Sequence, residues 1–301
     1  MQQISPRVSV GLPVYNGARY LARAIESILD QDTADFELIV SDNGSTDDTP
    51  EICRHFAARD PRVLVLRQER NRGAAWNFNE VFRRSRAPFF KWAAHDDWCE
   101  SSYLRRCLEV FEQSPPSVVL VYPRTLLVSA TGAILMRYED RLDIRAQRPH
   151  SRLWSLVRRL ALCNALLGVI RRSALERTRL VGSFSASDRV LLAELAMQGE
   201  FREVPEYLFY RRRHAESSRS ANKTTEAIDL WFDPEARSHR APQLRLVREH
   251  LVSVSRAPLG PADRALCALS FLLAYSYTRT RIRLGAARRR MLGRSDDGRV
   301  H

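Results

Sequence analysis

The chain has 301 residues, 45% hydrophobic and 28% charged, the balance of a folded protein with room for one large α/β domain and an extension. The net charge is +13, carried almost wholly by arginine, since Lys91 and Lys223 are the lysines. No run approaches the roughly 18 apolar residues a membrane span needs. The five cysteines (Cys53, Cys99, Cys107, Cys163, Cys267) are scattered and never form a CxxC pair, which argues against a zinc knuckle and for reduced thiols.

Met1–Pro6 is polar and Val8–Leu12 is too short for a secretory core, so a cytoplasmic protein without a leader is expected. Arg7–Leu12 alternates and reads as a strand stopped by Pro13. Val14-Tyr15-Asn16-Gly17 is a turn, and Tyr20, Leu21, Ala24, Ile25, Ile28 and Leu29 recur at helical spacing. Phe36–Ser41 is a second strand. It runs into Asp42-Asn43-Gly44-Ser45-Thr46-Asp47-Asp48-Thr49-Pro50, which holds turn residues and a Pro suited to a helix start. Val63–Leu66 is a third strand, Arg70-Asn71-Arg72-Gly73 a loop, and Ala74–Ser85 a helix bearing Trp76, Asn77 and Asn79. Strand–helix alternation with short connections predicts a parallel, doubly wound sheet.

Phe89–Ala94 reads as a short buried strand that ends abruptly in His95-Asp96-Asp97, with a helix from Ser101. Open α/β sheets bind ligands at the carboxyl ends of such strands. Adjacent carboxylates repel unless a cation or ordered donors offset them, and Mg²⁺ or Mn²⁺ bridging to a phosphate would do so. Acidic residues at a helix N-terminus are the plainer reading of the same stretch. Core packing is favoured for Trp76, Trp92 and Trp98, with Trp98 the best placed to stack on a sugar.

After Pro115-Pro116 the pattern changes. Ser117–Tyr122 and Thr125–Arg137 read as strands or a hairpin turning near Thr131-Gly132, Leu153–Leu162 as a helix and Leu166–Ile170 as a strand. Ser187-Asp188 opens a helix over Arg189–Met197, and Phe201–Val204 precedes Tyr207–His214. Arg211–His301 hold 19 Lys plus Arg against 9 Asp plus Glu, or +10, which leaves 29 against 26, or +3, for the rest. Leu259-Gly260-Pro261 breaks the chain before Leu266, Leu269, Phe271, Leu272, Leu273, Tyr275 and Tyr277. Arg279, Arg281, Arg283, Arg288, Arg289, Arg290 and Arg294 follow. An apolar helix running into a cationic one predicts peripheral membrane contact; a helix docked on the domain or a partner, with a solvated arginine face, is the alternative.

Four motifs in register at strand ends (Pro13-Val14-Tyr15-Asn16, Asp42–Asp47, Asn71-Arg72-Gly73 and His95-Asp96-Asp97) resemble the inverting family 2 glycosyltransferases, over roughly the first two thirds of the chain. The resemblance implies a GT-A fold, a mixed, mainly parallel sheet flanked by helices. Residues 1–222 would be the transferase domain, with 1–115 the nucleotide-sugar half and 116–222 the acceptor half, and 223–301 a basic helical extension. It implies that Pro13, Tyr15 and Asn16 hold the nucleobase, that Asp42 reads its edge, and that Asn71, Arg72 and Gly73 line the nucleotide and sugar. Asp96 matches the ribose-facing or metal-facing carboxylate and Asp97 the metal ligand, for Mn²⁺ or Mg²⁺. His95 stands where many members have an acid. His214 matches a histidine that approaches metal or pyrophosphate, and a surface histidine is the equal alternative. Asp188 matches the catalytic base, although the preceding Glu is missing and a helix cap is the alternative.

The implied activity is metal-dependent transfer from a nucleotide-diphosphate sugar to a glycan or lipid-linked acceptor, in cell-envelope or exopolysaccharide synthesis. A sugar-1-phosphate nucleotidyltransferase is a second reading, disfavoured because Val14-Tyr15-Asn16-Gly17 is not a Gly- and Lys/Arg-rich first loop. Nucleic-acid binding through the positive charge is a third, disfavoured because the charge sits in one tail and no nucleic-acid motif accompanies it.

Overall fold

The computed structural model describes residues 5–217, 222, 224–235 and 241–291. β1 (Val8–Val14) and β2 (Phe36–Asp42) are buried at every position, as expected of strands covered on both faces. Helices α1 (Ala18–Leu29), α2 (Thr49–Arg59) and α3 (Ala74–Arg84) follow β1, β2 and β3 (Val63–Arg67) in turn. β4 (Phe89–Trp92) pairs on the other side of β1, so the order β3-β2-β1-β4 is parallel throughout. The expected stop at Pro13 does not occur. β4 leaves β1 after the Gly11–Trp92 pair, so a residue without an N–H is tolerated beyond it and the strand continues to Val14.

The second half extends this sheet with mixed pairing. Its elements are β5 (Trp98–Cys99), α4 (Tyr103–Glu112), β6 (Val118–Val128), β7 (Ile134–Tyr138), α5 (Pro149–Arg159), β8 (Val169–Arg171), α6 (Arg172–Leu175), α7 (Ser187–Gln198) and β9 (Glu200–Arg212). The order continues β4-β8-β6-β9-β5, with β7 as a hairpin arm on β6. β8 is antiparallel to both β4 and β6, while β9 runs parallel to β6. Leu166 and Leu167, expected in a strand, lie in a 3₁₀ turn over Asn164–Leu167; a short apolar run does not distinguish the two. The segment 201–204 and residues 207–212 of the second merge into β9, whose pairing with β6 jumps from Val204 to Tyr207 and so leaves Pro205-Glu206 outside the register; Arg213 and His214 lie just beyond it.

Three helices close the described chain: α8 (Thr225–Phe232), α9 (Pro242–Arg256) and α10 (Pro261–Met291). α10 buries Cys267, Phe271 and Ala274. Cys267 and Phe271 share a core cluster with Leu153, Leu156, Leu191 and Leu195 of α5 and α7. Phe271 stacks on His250 of α9 at 4.4 Å. No helix of the described residues is long and apolar enough to cross a membrane. Arg294 and the side chains of Arg288, Arg289 and Arg290 lie outside the described residues.

Candidate active site

The carboxyl ends of β1, β2, β4 and β9 converge, and their loops are stapled to one another. Asn16, at φ 48, donates its N–H to Ser45 Oγ at 2.9 Å, and its Oδ1 accepts the Thr46 N–H at 2.9 Å. The Gly17 N–H bonds Thr49 Oγ1 at 2.9 Å. Pro13 and Val14 are buried, while Tyr15 stands out at the rim of the ledge, 42% exposed. Asp42 is fully buried. Its Oδ1 accepts the Ser45 N–H at 2.9 Å, whereas Oδ2 has no hydrogen-bond partner and lies 3.5 Å from Arg67 Nε. A buried carboxylate oxygen that lacks a hydrogen bond and has only this longer ion pair is a place where a ligand donor would be favoured.

The third loop is held by Asn43, which stands outside the residues singled out above. Its Oδ1 accepts the Arg72 N–H at 3.0 Å, and its Nδ2 donates to Asn71 Oδ1 at 2.9 Å. Gly73 adopts φ +85, a conformation that disfavours side chains, and a Cβ there would lie 2.4 Å from the Phe232 carbonyl oxygen. The segment after α8 therefore presses on this loop, and Glu235 reaches Arg70 at 3.4 Å. Arg72 lies over the Trp76 ring at 3.9 Å. Asn77 ties the carbonyls of Val14 and Ser41 together through Nδ2, at 3.3 and 3.0 Å.

At the fourth loop the two carboxylates part company. Asp97 turns into the fold, where Oδ1 accepts the Arg212 N–H at 2.7 Å. Burial and then repulsion from Asp96 push its pKa well above the usual carboxylate range. Asp96 instead meets His214, with Oδ2 and Nε2 2.8 Å apart. Burial opposes ionisation of Asp96, but the hydrogen bond to His214 and the charges of His95 and His214 outweigh it and hold its pKa low. His214 is buried, its ring edge rests on Tyr20 at 4.8 Å, and its Nδ1 has no partner. Burial chiefly lowers the pKa of His95, whose ring lies against Gly17.

The delivery of His214 follows from β9. β5 pairs Trp98 with Tyr210 and Cys99 with Phe209, which carries the residues beyond them across the Asp96-Asp97 turn. Arg212 clamps that turn: its Nε donates to the Asp96 carbonyl at 2.9 Å and its Nη1 to the Ala130 carbonyl at 2.7 Å. Trp98 is not free to take a sugar. Tyr210 stacks on it at 4.9 Å and 9°, and the Arg23 guanidinium lies 3.6 Å from its ring centre, so both faces are covered. Trp92 is core, with Nε1 bonded to the Phe78 carbonyl at 2.9 Å.

Across the cleft, α7 begins after Ala186, which sits at φ 65, and Asp188 is half-buried in its first turn. The helix has no side-chain cap; Asp188 Oδ1 accepts the adjacent Arg189 N–H at 2.9 Å, and the Cys163 thiol also hydrogen-bonds to the Asp188 carboxylate. Arg211 spans the floor between the two sides. Its Nη1 donates to Asn164 Oδ1 at 2.6 Å, and it is close enough to Asp97, Asp140 and Cys163 to affect their ionisation. Asp140 is buried, which pushes its pKa up to about 7 against the opposing Asn164 hydrogen bond. Asn43, Arg211, Arg212, Asn164 and Asp140 were not foreseen. The run Arg211-Arg212-Arg213 beside His214 was the available signal for two of them.

Residues 9–153 match Glycosyl transferase family 2. Over 130 residues the chain is 32% identical to a chondroitin synthase of Escherichia coli, covering 43% of this chain and 19% of that one. It is 26% identical over 233 residues to the putative teichuronic acid biosynthesis glycosyltransferase TuaG of Bacillus subtilis, covering 77% and 88%. The matched stretch thus spans about a fifth of the chondroitin synthase. The fold superimposes on S. aureus TarS 1-349 in complex with UDP-GlcNAc with a TM-score of 0.63 at 17% identity, covering 91% of this chain and 74% of that one. The fold is GT-A.

Proposed function

With residues 9–153 belonging to glycosyl transferase family 2, we propose that the chain transfers a sugar from a nucleotide-diphosphate donor to a glycan or lipid-linked acceptor, with inversion, in cell-envelope polysaccharide synthesis. The observation that carries this reading is the Asp96–His214 contact, on the edge of the sheet that also carries Asp42, whose Oδ2 has no hydrogen bond. The TarS neighbour is in complex with UDP-GlcNAc and TuaG is named for teichuronic acid biosynthesis, which supports the donor and product classes.

In this reading Pro13, Tyr15 and Asn16 form the base ledge, and Asp42 Oδ2 accepts an N–H of the base. Asn71, Arg72 and Gly73 line the donor. Asp96 and His214 would hold a divalent cation. One carboxylate and one imidazole suit Mn²⁺ better than Mg²⁺, and diphosphate oxygens would complete the shell. Among the described residues no cluster of three or more protein donors exists, so the ligand must supply the rest. The sequence assigned Asp97 to the metal; here the cation is placed on Asp96, because Asp97 Oδ1 already accepts the Arg212 N–H. When bound, the cation offsets charge on the departing diphosphate. Asp188 takes the acceptor hydroxyl proton, the acceptor oxygen bonds to the anomeric carbon, and the bond to the diphosphate oxygen breaks with its electron pair going to the leaving group. Asp188 carries no side-chain cap bond that would commit it elsewhere. A lipid-linked acceptor would be met at the cytoplasmic face of a membrane.

Incubation with UDP-, GDP- and dTDP-sugars, Mn²⁺ and a membrane extract tests the reading. Release of one nucleoside diphosphate together with a labelled glycan or lipid is expected. No release from any donor would refute it.

A further inference from the structure

The Asp96 site leaves unexplained a second cationic feature, the seam between α5 and α10. A cleft of about 250 Å³ opens there, lined by Trp154, Ser155, Arg158, Arg159 and Arg281. The Arg158 guanidinium is held between rings, 5.3 Å from Trp154 and 4.4 Å from Tyr277. No carboxylate among the described residues pairs with Arg158, Arg159 or Arg281, unlike Arg179, which has Glu194 and Glu249. Three converging cations without a counter-charge repel one another, and planar guanidinium groups match phosphate oxygens in pairs.

The same helix supplies an apolar complement. Cys267, Phe271 and Ala274 turn α10 onto the core. Leu266, Leu269, Leu273, Tyr277 and Leu284 recur at steps of three, four and seven and so share one outward stripe; each is between 44% and 66% exposed. At helical spacing Arg281 and Arg283 fall on opposite sides of that stripe. A second copy of the chain would bring the same arginines face to face, whereas an anionic bilayer takes leucines into its interface and offers phosphate to the arginines.

We propose that the α5–α10 seam is a phosphate-headgroup site through which this face docks on an anionic lipid bilayer. The inference rests on the reading of an acceptor met at a membrane. It also adds geometry to it: α5 runs directly into the Ala161–Asn164 loop, where Ala161 O accepts from Arg189 at 3.0 Å and Asn164 accepts from Arg211. Bilayer contact at the seam thus lies one short loop from Asp188.

The test is co-sedimentation of the full chain with phosphatidylcholine vesicles, with and without phosphatidylglycerol. Binding should require phosphatidylglycerol and fall as salt rises. It should weaken at least about tenfold in Arg158→Glu/Arg281→Glu, and likewise in Leu269→Glu/Leu273→Glu. Nucleoside-diphosphate binding by both variants shows that they fold; if either does not, the lipid and salt dependence of the parent decides. Equal binding to neutral vesicles, no binding, or unaffected folded variants would overturn the proposal. So would a vesicle-free dimer dispersed by Leu269→Glu/Leu273→Glu, or stabilisation by inorganic phosphate without vesicle binding. If vesicles bind while no nucleotide does, the transferase reading fails and this one stands.

Discussion

His214 Nε2 lies 2.8 Å from Asp96 Oδ2 across 118 residues of chain, with the His214 side chain buried and Asp96 part-buried. The neighbouring carboxylate, Asp97, is meanwhile spent on the Arg212 N–H. The contact also joins the two halves of the sheet, since Asp96 follows β4 and His214 follows β9.

Asp97 should behave as a structural residue. Asp97→Asn keeps its shape and should retain metal-dependent nucleotide binding. Asp97→Ala leaves the Arg212 N–H unpaired and should cost about 1–3 kcal/mol in a urea titration. Loss of metal-dependent binding in a folded Asp97→Asn variant would show that Asp97 is itself a ligand.

Asp188 should separate chemistry from stability. Asp188→Asn should lower turnover by about 10²- to 10⁴-fold while nucleotide affinity is kept. Because the helix has no side-chain cap bond, its stability should stay within about 0.5 kcal/mol of the parent. A loss of about 1 kcal/mol with turnover retained would mark a cap.

Asp140 predicts a pH dependence. Its carboxyl is raised by burial to about 7, so the folded chain holds a proton that the unfolded chain releases near pH 4. Its contribution is therefore complete below about pH 4 and is lost as pH rises toward 7, by at most about 4 kcal/mol. Asp140→Asn removes the titration. The stability difference, parent minus variant, should fall between pH 4 and 7 in chemical denaturation. A difference that stays flat would contradict the burial argument.

Gly73→Ala tests the third loop. With φ at +85 and the Phe232 carbonyl in the way of a Cβ, it should cost at least about 1–2 kcal/mol. Nucleotide affinity should fall with it, since the Asn43 contacts to Asn71 and Arg72 depend on that backbone. Ligand binding unchanged in Gly73→Ala would detach this loop from the site.

The parallel half was legible because its signals are local. Pro13–Asn16, Asp42–Asp47 and Asn71–Gly73 each close a strand with turn chemistry, and the folded chain brings them to one edge of the sheet. The different partners of Asp96 and Asp97 were not legible, since they are His214 and Arg212, more than 110 residues away. Packing was the favoured reading of Trp98, but its partner was hidden for the same reason: Tyr210, which takes one of its faces, comes from β9. Leu166 and Leu167 carry an apolar pattern that suits a strand or a helical turn, and only packing chose between them. The apolar residues of α10 were visible in sequence, but not which of them, Cys267 and Phe271 or Leu269 and Leu273, would face the core.

The most direct measurement is nucleoside-diphosphate binding with and without Mn²⁺, by melting temperature, for the parent and His214→Ala. A ligand bound only by the folded state raises the melting temperature. One diphosphate should stabilise the parent more with Mn²⁺ than without it. His214→Ala should keep the metal-free shift and lose the increment, matching a roughly 10- to 100-fold weaker metal-dependent affinity. An undiminished Mn²⁺ increment in His214→Ala would contradict the assignment of the Asp96–His214 pair to the metal.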